Sequence, residues 1–382
     1  LPININFIVL EIDQKRLPLN DMGIVRKSLK KINKTISPGK LFFGPEYIVL
    51  GVNNVCNLHC KMCDVGTANL ETNFAQNLVG SQPLNMPLEL FKKIVDQTAQ
   101  FFPKAKIGYA FTEPLVYPHL KESLIYAKEK GLYTSVTTNA LNLKRKSQDL
   151  IDGKVNELFI SIDGLQETHN YIRGNEQSFQ KAIEGIQHLS TYENAPEISV
   201  FCVITEWNYT ELVAFADFFS QLPIKKLGFM HQNFVTEGLA ESHNALYGNL
   251  YAATHSNIEL TDMSKIDLPE LHKIIQTIKG KKYATNITFS PEINDLETLT
   301  TFYLKPEQKI GKTCNDVFSN LMVKTDGSII PSHGRCYNVS MGNLHQSSLK
   351  EIWNDAPYAK FRTELLKAGG LFPACNRCCS AF

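Results

Sequence analysis

The segment YIVLGVNNVCNLHCKMC, residues 47–63, runs from an apolar, β-rich stretch directly into three closely spaced cysteines. Cys56, Cys60 and Cys63 are odd in number and cramped in spacing, and nothing resembling a cleaved secretory signal precedes them, so a disulfide framework is disfavoured. Zinc would want a fourth donor. His59 lies between the cysteines, yet zinc sites usually present paired C-x2-C or C-x2-C/H-x3-H units. A C-x3-C-x2-C triplet instead suits three corners of a [4Fe–4S] cube, leaving the fourth iron open to a small molecule.

Outward from this segment, β-rich runs alternate with helical patterns. Six strands are predicted, starting at Tyr47, Lys106, Tyr133, Glu157, Glu197 and Lys225. Between them, PLELFKKIVDQTAQFF has Pro87 in its first turn and apolar Leu90, Phe91, Ile94 and Val95 at helical spacing. HLKESLIYAKEKG stops at Gly131, and Ser178 and Asn208 are expected to cap two further helices. Strand followed by helix, repeated six times, requires parallel strands joined by right-handed crossovers. The expected fold class is therefore α/β, a partial (β/α)6 TIM-like barrel whose functional loops follow the carboxyl ends of its strands. The expected boundaries are an N-terminal extension at 1–45, the barrel at 46–235, a connecting segment at 236–312 and a small C-terminal domain at 313–382.

Composition narrows the function classes. The 382 residues are 43% hydrophobic, enough for a large core, and 39 basic against 38 acidic residues leave a net charge of +1. That balance gives no electrostatic case for nucleic acid or an anionic membrane. The basic run RKSLKKINK, Arg26 to Lys34, reads as the solvated face of a helix. No apolar run approaches the ~20 residues of a membrane span. Free thiols without a secretory signal point to a reducing compartment, and the expected location is cytoplasmic.

The motifs after the strands resemble those of radical S-adenosylmethionine enzymes, whose defining C-x3-C-x2-C lies in the loop after strand one. FTEPLVYP (111–118) is similar to that family's Gly-Gly-Glu-Pro segment, with Phe111 and Thr112 where two glycines are usual and Glu113 and Pro114 retained. TTNALNL, SIDG and HNYIRG follow in the expected order. The resemblance implies that S-adenosylmethionine chelates the open iron and is cleaved reductively to a 5′-deoxyadenosyl radical, with electrons from a flavodoxin- or ferredoxin-type donor. It also implies cofactor contacts. Backbone groups at Thr112, Glu113 and Pro114 would meet the methionine ammonium, Arg173 the methionine carboxylate, and Ser161 and Asp163 the ribose. Asn139 would reach the same ligand, and Met62 would stand in for an aromatic near the adenine. For Asn139, Asp163 and His169, a local turn or cap is the alternative reading.

The last 69 residues gather Cys314, Cys336, Cys375, Cys378 and Cys379, whereas Cys202 sits in an apolar strand and reads as a structural thiol. VKTDGSII reads as a hairpin turning at Asp326-Gly327. With the following GNL, a helix carrying Ile-Trp, and C-x2-C, it resembles the SPASM/Twitch extension of many radical enzymes. A full SPASM domain has seven cysteines and two clusters, and Ser332 stands where a cysteine is usual. One auxiliary [4Fe–4S] cluster on Cys314, Cys336, Cys375 and Cys378 is the simplest assignment, with Cys379 spare or exchanging with Cys378. An all-cysteine zinc knuckle is the alternative.

A fully ligated auxiliary cluster suits electron acceptance, and so a two-electron dehydrogenation of a small polyol, sugar or aminocyclitol. Peptide crosslinking or epimerisation and redox-neutral sugar epimerisation are the alternatives, and a non-catalytic iron–sulfur electron carrier is a further class. The roughly 45 residues before strand one are few for a leader-peptide-binding module, which favours a small-molecule substrate over a peptide. Candidate bases or hydrogen donors are His231, Glu237, Tyr171 and Cys379.

Overall fold

The computed structural model describes residues 19–382. Its centre is one sheet of ten strands in the order β10-β9-β8-β1-β2-β3-β4-β5-β6-β7. The first six are β1 (Tyr47–Leu50), β2 (Lys106–Tyr109), β3 (Thr134–Thr138), β4 (Glu157–Ser161), β5 (Glu197–Ile204) and β6 (Lys226–His231), each parallel to the next. The alternation in the sequence thus produces the expected parallel succession. Helices such as Leu88–Phe101, Leu120–Glu129 and Ser178–Leu189 cover its outer face with buried apolar stripes.

The sheet does not stop at six strands. β7 (Asn286–Ser290), from the connecting segment, continues it in parallel beside β6. On the other side β8 (Asn320–Val323), from the C-terminal region, runs parallel to β1. β9 (Ser328–Ile330) and β10 (Gly342–Asn343) follow antiparallel. The expected turn at Asp326-Gly327 is present, with Gly327 at φ +77° and the Asp326 carboxylate accepting from the Ser328 amide at 2.9 Å. Because β8 pairs with β1, the C-terminal cysteines and the first cysteine triplet are anchored to neighbouring strands.

Two expected caps differ from the sequence reading. Ser178 is the first helical residue rather than the cap, and its hydroxyl bonds Asn170 Oδ1 and Asn175 O, both at 2.9 Å. Asn208 makes no side-chain cap; its amide group donates to the Asp163 and Val203 carbonyls at 2.8 Å. In both cases tertiary acceptors compete successfully with the local helix terminus. The basic helix is likewise partly docked. Lys30 pairs with Glu46 at 2.6 Å and Lys34 lies over the Phe318 ring at 5.3 Å, while Lys27 and Lys31 face solvent.

Candidate active site

All the loops that carry the motifs leave the sheet at one end, because the strands are parallel and each motif follows a strand's carboxyl end. The triplet loop after β1 is held from several sides. The His59 and Lys61 amides donate to the Arg173 and Ile172 carbonyls at 3.3 and 2.9 Å. Asn139 Nδ2 donates to Asn57 Oδ1 at 2.8 Å. Gly66 has no tolerance for a side chain: a Cβ there would lie 2.4 Å from the Cys60 carbonyl oxygen. Asp64, directly after Cys63, is buried and accepts from Thr72 Oγ1 at 3.0 Å, Ser256 Oγ at 2.7 Å and the Asn257 amide at 2.7 Å.

Cys56, Cys60 and Cys63 converge on a cavity of about 30 Å³ walled by Leu58, Val65, Leu78 and Phe111. Three soft sulfur donors in an apolar shell, with no carboxylate among the lining residues, fit an iron–sulfur cluster better than a hard cation. Burial pushes the Cys60 thiol up to about 12, so cluster assembly must displace its proton. Met62 packs with Leu58, Cys60 and Ile172.

Arg173 lies beside this centre, with Nη1 3.6 Å from Cys60 Sγ and Nη2 paired to the buried Asp163 carboxylate. Its Nε is buried without a hydrogen-bond partner among the described residues, a donor left for a ligand. Asp163 Oδ1 accepts from the Val203 amide at 2.8 Å and its own amide donates to His169 Nδ1 at 3.0 Å. Both Asp163 and His169 are thus engaged within the protein. Ser161 ends β4 and is half-buried.

The FTEP segment keeps glycine-like geometry without glycine. Phe111 has φ +89°, a left-handed conformation costing a side-chain-bearing residue about 1–2 kcal/mol. Thr112 Oγ1 donates to the Asn53 carbonyl at 2.7 Å, and Pro114 begins a buried 3-10 turn. Glu113 is fully buried; its carboxyl group bonds Thr138 Oγ1 at 2.6 Å and the Asn139 and Leu115 amides at 2.8 and 3.0 Å. This side chain ties the loop after β2 to the loop after β3.

Burial raises the Glu113 pKa to about 7, against the opposing effect of those hydrogen bonds. For an acid raised in the folded state, stability is highest while it is protonated and falls as pH rises from about 4.5 towards about 7. The expected loss is ~3 kcal/mol at 1.36 kcal/mol per unit. Thermal midpoints across that window should fall more steeply in the native protein than in Glu113→Gln. Parallel slopes would show that the carboxyl group is not the source.

The C-terminal centre is larger. Cys314, Cys336, Cys375 and Cys378 line one cavity of about 60 Å³, together with Phe74, Phe234, His333, Arg335 and Tyr337. The Cys378 amide donates to the Cys375 carbonyl at 3.0 Å, closing the C-x2-C turn, and Tyr337 Oη lies 3.3 Å from Cys375 Sγ. Between the two cysteines, Arg377 sends its guanidinium into the carbonyls of Thr301, Phe302 and Lys305, plugging the end of the helix Leu296–Leu304. The set of four sulfurs suits the auxiliary cluster. Cys379 is not among the cavity's lining residues but forms, with His333 and Cys378, a group of donors within 4.8 Å of one another. Cys378 belongs to both groups.

The helix Asn73–Val79 separates the two cavities, with Phe74 at the larger and Leu78 at the smaller. Asn77 on this helix donates to the Gly334 and Cys336 carbonyls at 3.0 and 2.6 Å, fixing the C-terminal loop against the triplet side.

The structure does not bring His231, Glu237 or Tyr171 to either cavity. His231 is buried against Phe302 with Nδ1 2.8 Å from Tyr303 Oη, and burial lowers its pKa to about 3. Glu237 is exposed in the first turn of the helix Glu237–Tyr251, where an acid suits the helix dipole. Tyr171 is 55% exposed beneath Lys61 and beside Trp207. The sequence reading missed His333, Arg335 and Tyr337, all within three residues of Cys336; that proximity was the available signal.

Comparison with known proteins agrees with this geometry. Residues 51–219 match the Radical SAM superfamily and residues 314–379 match SPASM, an iron–sulfur cluster-binding domain. A curated relative from Pyrococcus furiosus, the tungsten-containing aldehyde ferredoxin oxidoreductase cofactor-modifying protein, is 24% identical over 361 residues, covering 87% of each chain. Among solved structures, Streptococcus suis SuiB aligns with TM-score 0.60 at 17% identity, covering 98% of this chain and 82% of SuiB. AdoMet-bound anSMEcpe aligns with TM-score 0.55 at 17% identity, covering 82% of each. Both likenesses concern the fold. The cofactors are S-adenosylmethionine and two iron–sulfur clusters, as these domains require.

Proposed function

We propose, from the premise that this chain belongs to the radical S-adenosylmethionine superfamily and ends in a SPASM domain, that it oxidises a small organic molecule held against the C-terminal cysteines. The observation that carries this reading is that the cavity lined by Cys314, Cys336, Cys375 and Cys378, where the auxiliary cluster would sit, also has Asn233–Val235 after β6 in its wall, so that a substrate at its mouth would meet both the barrel and the cluster.

When bound, the first cluster supplies the electron that cleaves S-adenosylmethionine and the second accepts one from substrate. The protein's share is positional. Cys56, Cys60 and Cys63 would hold the first cluster, Arg173 would offer its free Nε–H to the methionine carboxylate, and the backbone at Thr112, Glu113 and Pro114 would meet the ammonium. Ser161 and Asn139 complete the cofactor's surroundings. With both groups bound, they would supply acceptors for one hydrogen atom and one electron of a substrate alcohol carbon, and a base of this chain would take the remaining proton, so that the alcohol would become a carbonyl. His333, the cavity's one imidazole, replaces His231 as the candidate proton acceptor. A polyol, sugar or aminocyclitol is the substrate class first expected. The likeness, over 87% of each chain, to a protein named as cofactor-modifying supports a small-molecule substrate. A peptide substrate is the second reading, favoured by the fold shared with a SuiB structure containing its precursor peptide. A flavodoxin- or ferredoxin-type protein would supply the electrons.

The test is release of 5′-deoxyadenosine by anaerobically reconstituted protein given a strong reductant and S-adenosylmethionine. Slow release without substrate is expected, rising when a true substrate is added. No release from protein with a full iron complement would favour the electron-carrier reading.

A further inference from the structure

The C-terminal cavity is electrostatically one-sided. Its lining residues include His333, Arg335 and Arg377 but no aspartate or glutamate. The nearby acid, Asp316, accepts from Ser380 Oγ at 2.6 Å and lies 3.8 Å from His333. The described structure's other buried guanidinium groups are engaged: Arg377 by a ring of carbonyls, Arg362 by the Val317 and Trp353 carbonyls, and Arg173 by Asp163. Arg335 differs. Among the described residues it has no ion pair and its guanidinium makes no hydrogen bond, yet it is half-buried and lies over the Phe74 ring at 4.3 Å. Stacking holds the guanidinium plane while leaving its N–H edge free for a planar or tetrahedral oxyanion. A second unmet group lines the same cavity: Ser332 is 1% exposed, and its hydroxyl has no hydrogen-bond partner among the described residues.

We propose that Arg335 and Ser332 form an oxyanion-recognising subsite, so that the substrate, within the polyol or sugar class, carries a carboxylate or phosphate group. This rests on the reading of the cavity as the substrate site. A charge-assisted hydrogen bond is worth about 1.5–3 kcal/mol, which is about tenfold or more in affinity. Lysine keeps the charge but not the fork, so R335K retains part of the preference and R335Q none.

The experiment is anaerobic calorimetry on the reconstituted full chain with S-adenosylmethionine present, using benzoate, phenyl phosphate and neutral benzamide as probes. At least one anion is expected to bind about tenfold more tightly than benzamide. Which anion does so tells carboxylate from phosphate. R335Q should lose that difference and S332A should reduce it a few-fold, with iron content certifying that each variant is intact. Equal binding of anion and amide, failure of all three to bind, or a preference that survives in R335Q overturns the proposal. A cluster counterion role for Arg335 makes a different forecast: R335Q would shift the midpoint potential of the C-terminal cluster and leave anion preference unchanged. If native protein releases no 5′-deoxyadenosine, the catalytic reading fails while the binding comparison is still scored.

Discussion

Replacing Cys56, Cys60 and Cys63 together by alanine is expected to lower the iron of anaerobically reconstituted protein from about eight atoms to about four, one cube's worth, and to abolish 5′-deoxyadenosine release. The two effects share a cause. These three cysteines line the smaller cavity, whereas the C-terminal four line the larger one, so the deletion empties one centre and spares the other. Folding should survive, because the strands that anchor the two centres, β1 and β8, are paired along their whole lengths through backbone bonds that need no metal. Iron and zinc analysis of the native and triple-variant proteins checks the prediction. About four irons with one zinc in the native protein, and none in the variant, would mean that the C-terminal sulfurs hold zinc.

How much of this was legible in the sequence follows from how local each signal is. The parallel strands were readable because each is a short apolar run bounded by a helix pattern, and the triplet because three ligands of one cluster lie within a single loop. Pairing of β8 with β1 was not readable, since nothing in NLMV specifies a partner hundreds of residues earlier. The cap expectation at Asn208 failed for a related reason: its amide group holds the Asp163 carbonyl, so a residue type suited to a helix terminus was used for the cofactor loop instead. Phe111 shows the opposite case. The family's glycine is absent, but φ +89° shows that the backbone still takes the conformation for which glycine is usual. Arg335 was invisible because its meaning depends on Phe74 beneath it and on the lack of an acid among the residues that line the cavity.

This arrangement also connects the centres mechanically. Asp64 follows Cys63 and bonds Ser256 and Asn257, while Ser256 lines the larger cavity. Phe111 walls the smaller cavity, and a Cβ placed on Gly334 would come within 3.0 Å of its ring. Gly334 lies between His333 and Arg335. The residues that shape the cofactor loop therefore touch the segments that shape the substrate cavity, so a shift of one centre is resisted by contacts to the other.

The sharpest division between oxidation and a redox-neutral outcome lies at Cys378 and Cys379. Cys378 faces the cavity with Cys314, Cys336 and Cys375, while Cys379 turns towards His333 and is not among the lining residues. Cys378→Ala is therefore expected to lose about four irons and to release 5′-deoxyadenosine without forming product, because hydrogen abstraction continues while the electron has no acceptor. Cys379→Ala should keep its iron and still yield a product lighter by two hydrogens, one lost as an atom and one as a proton. A thiol that quenched the substrate radical would behave differently, since an S–H bond is weak enough to give its hydrogen to carbon. In that case Cys379→Ala would abolish turnover at unchanged iron content, and the native product would keep the substrate's mass while carrying one solvent-derived hydrogen. Mass spectrometry in deuterated water together with iron analysis separates these outcomes, and the second would replace the dehydrogenase reading with an epimerase.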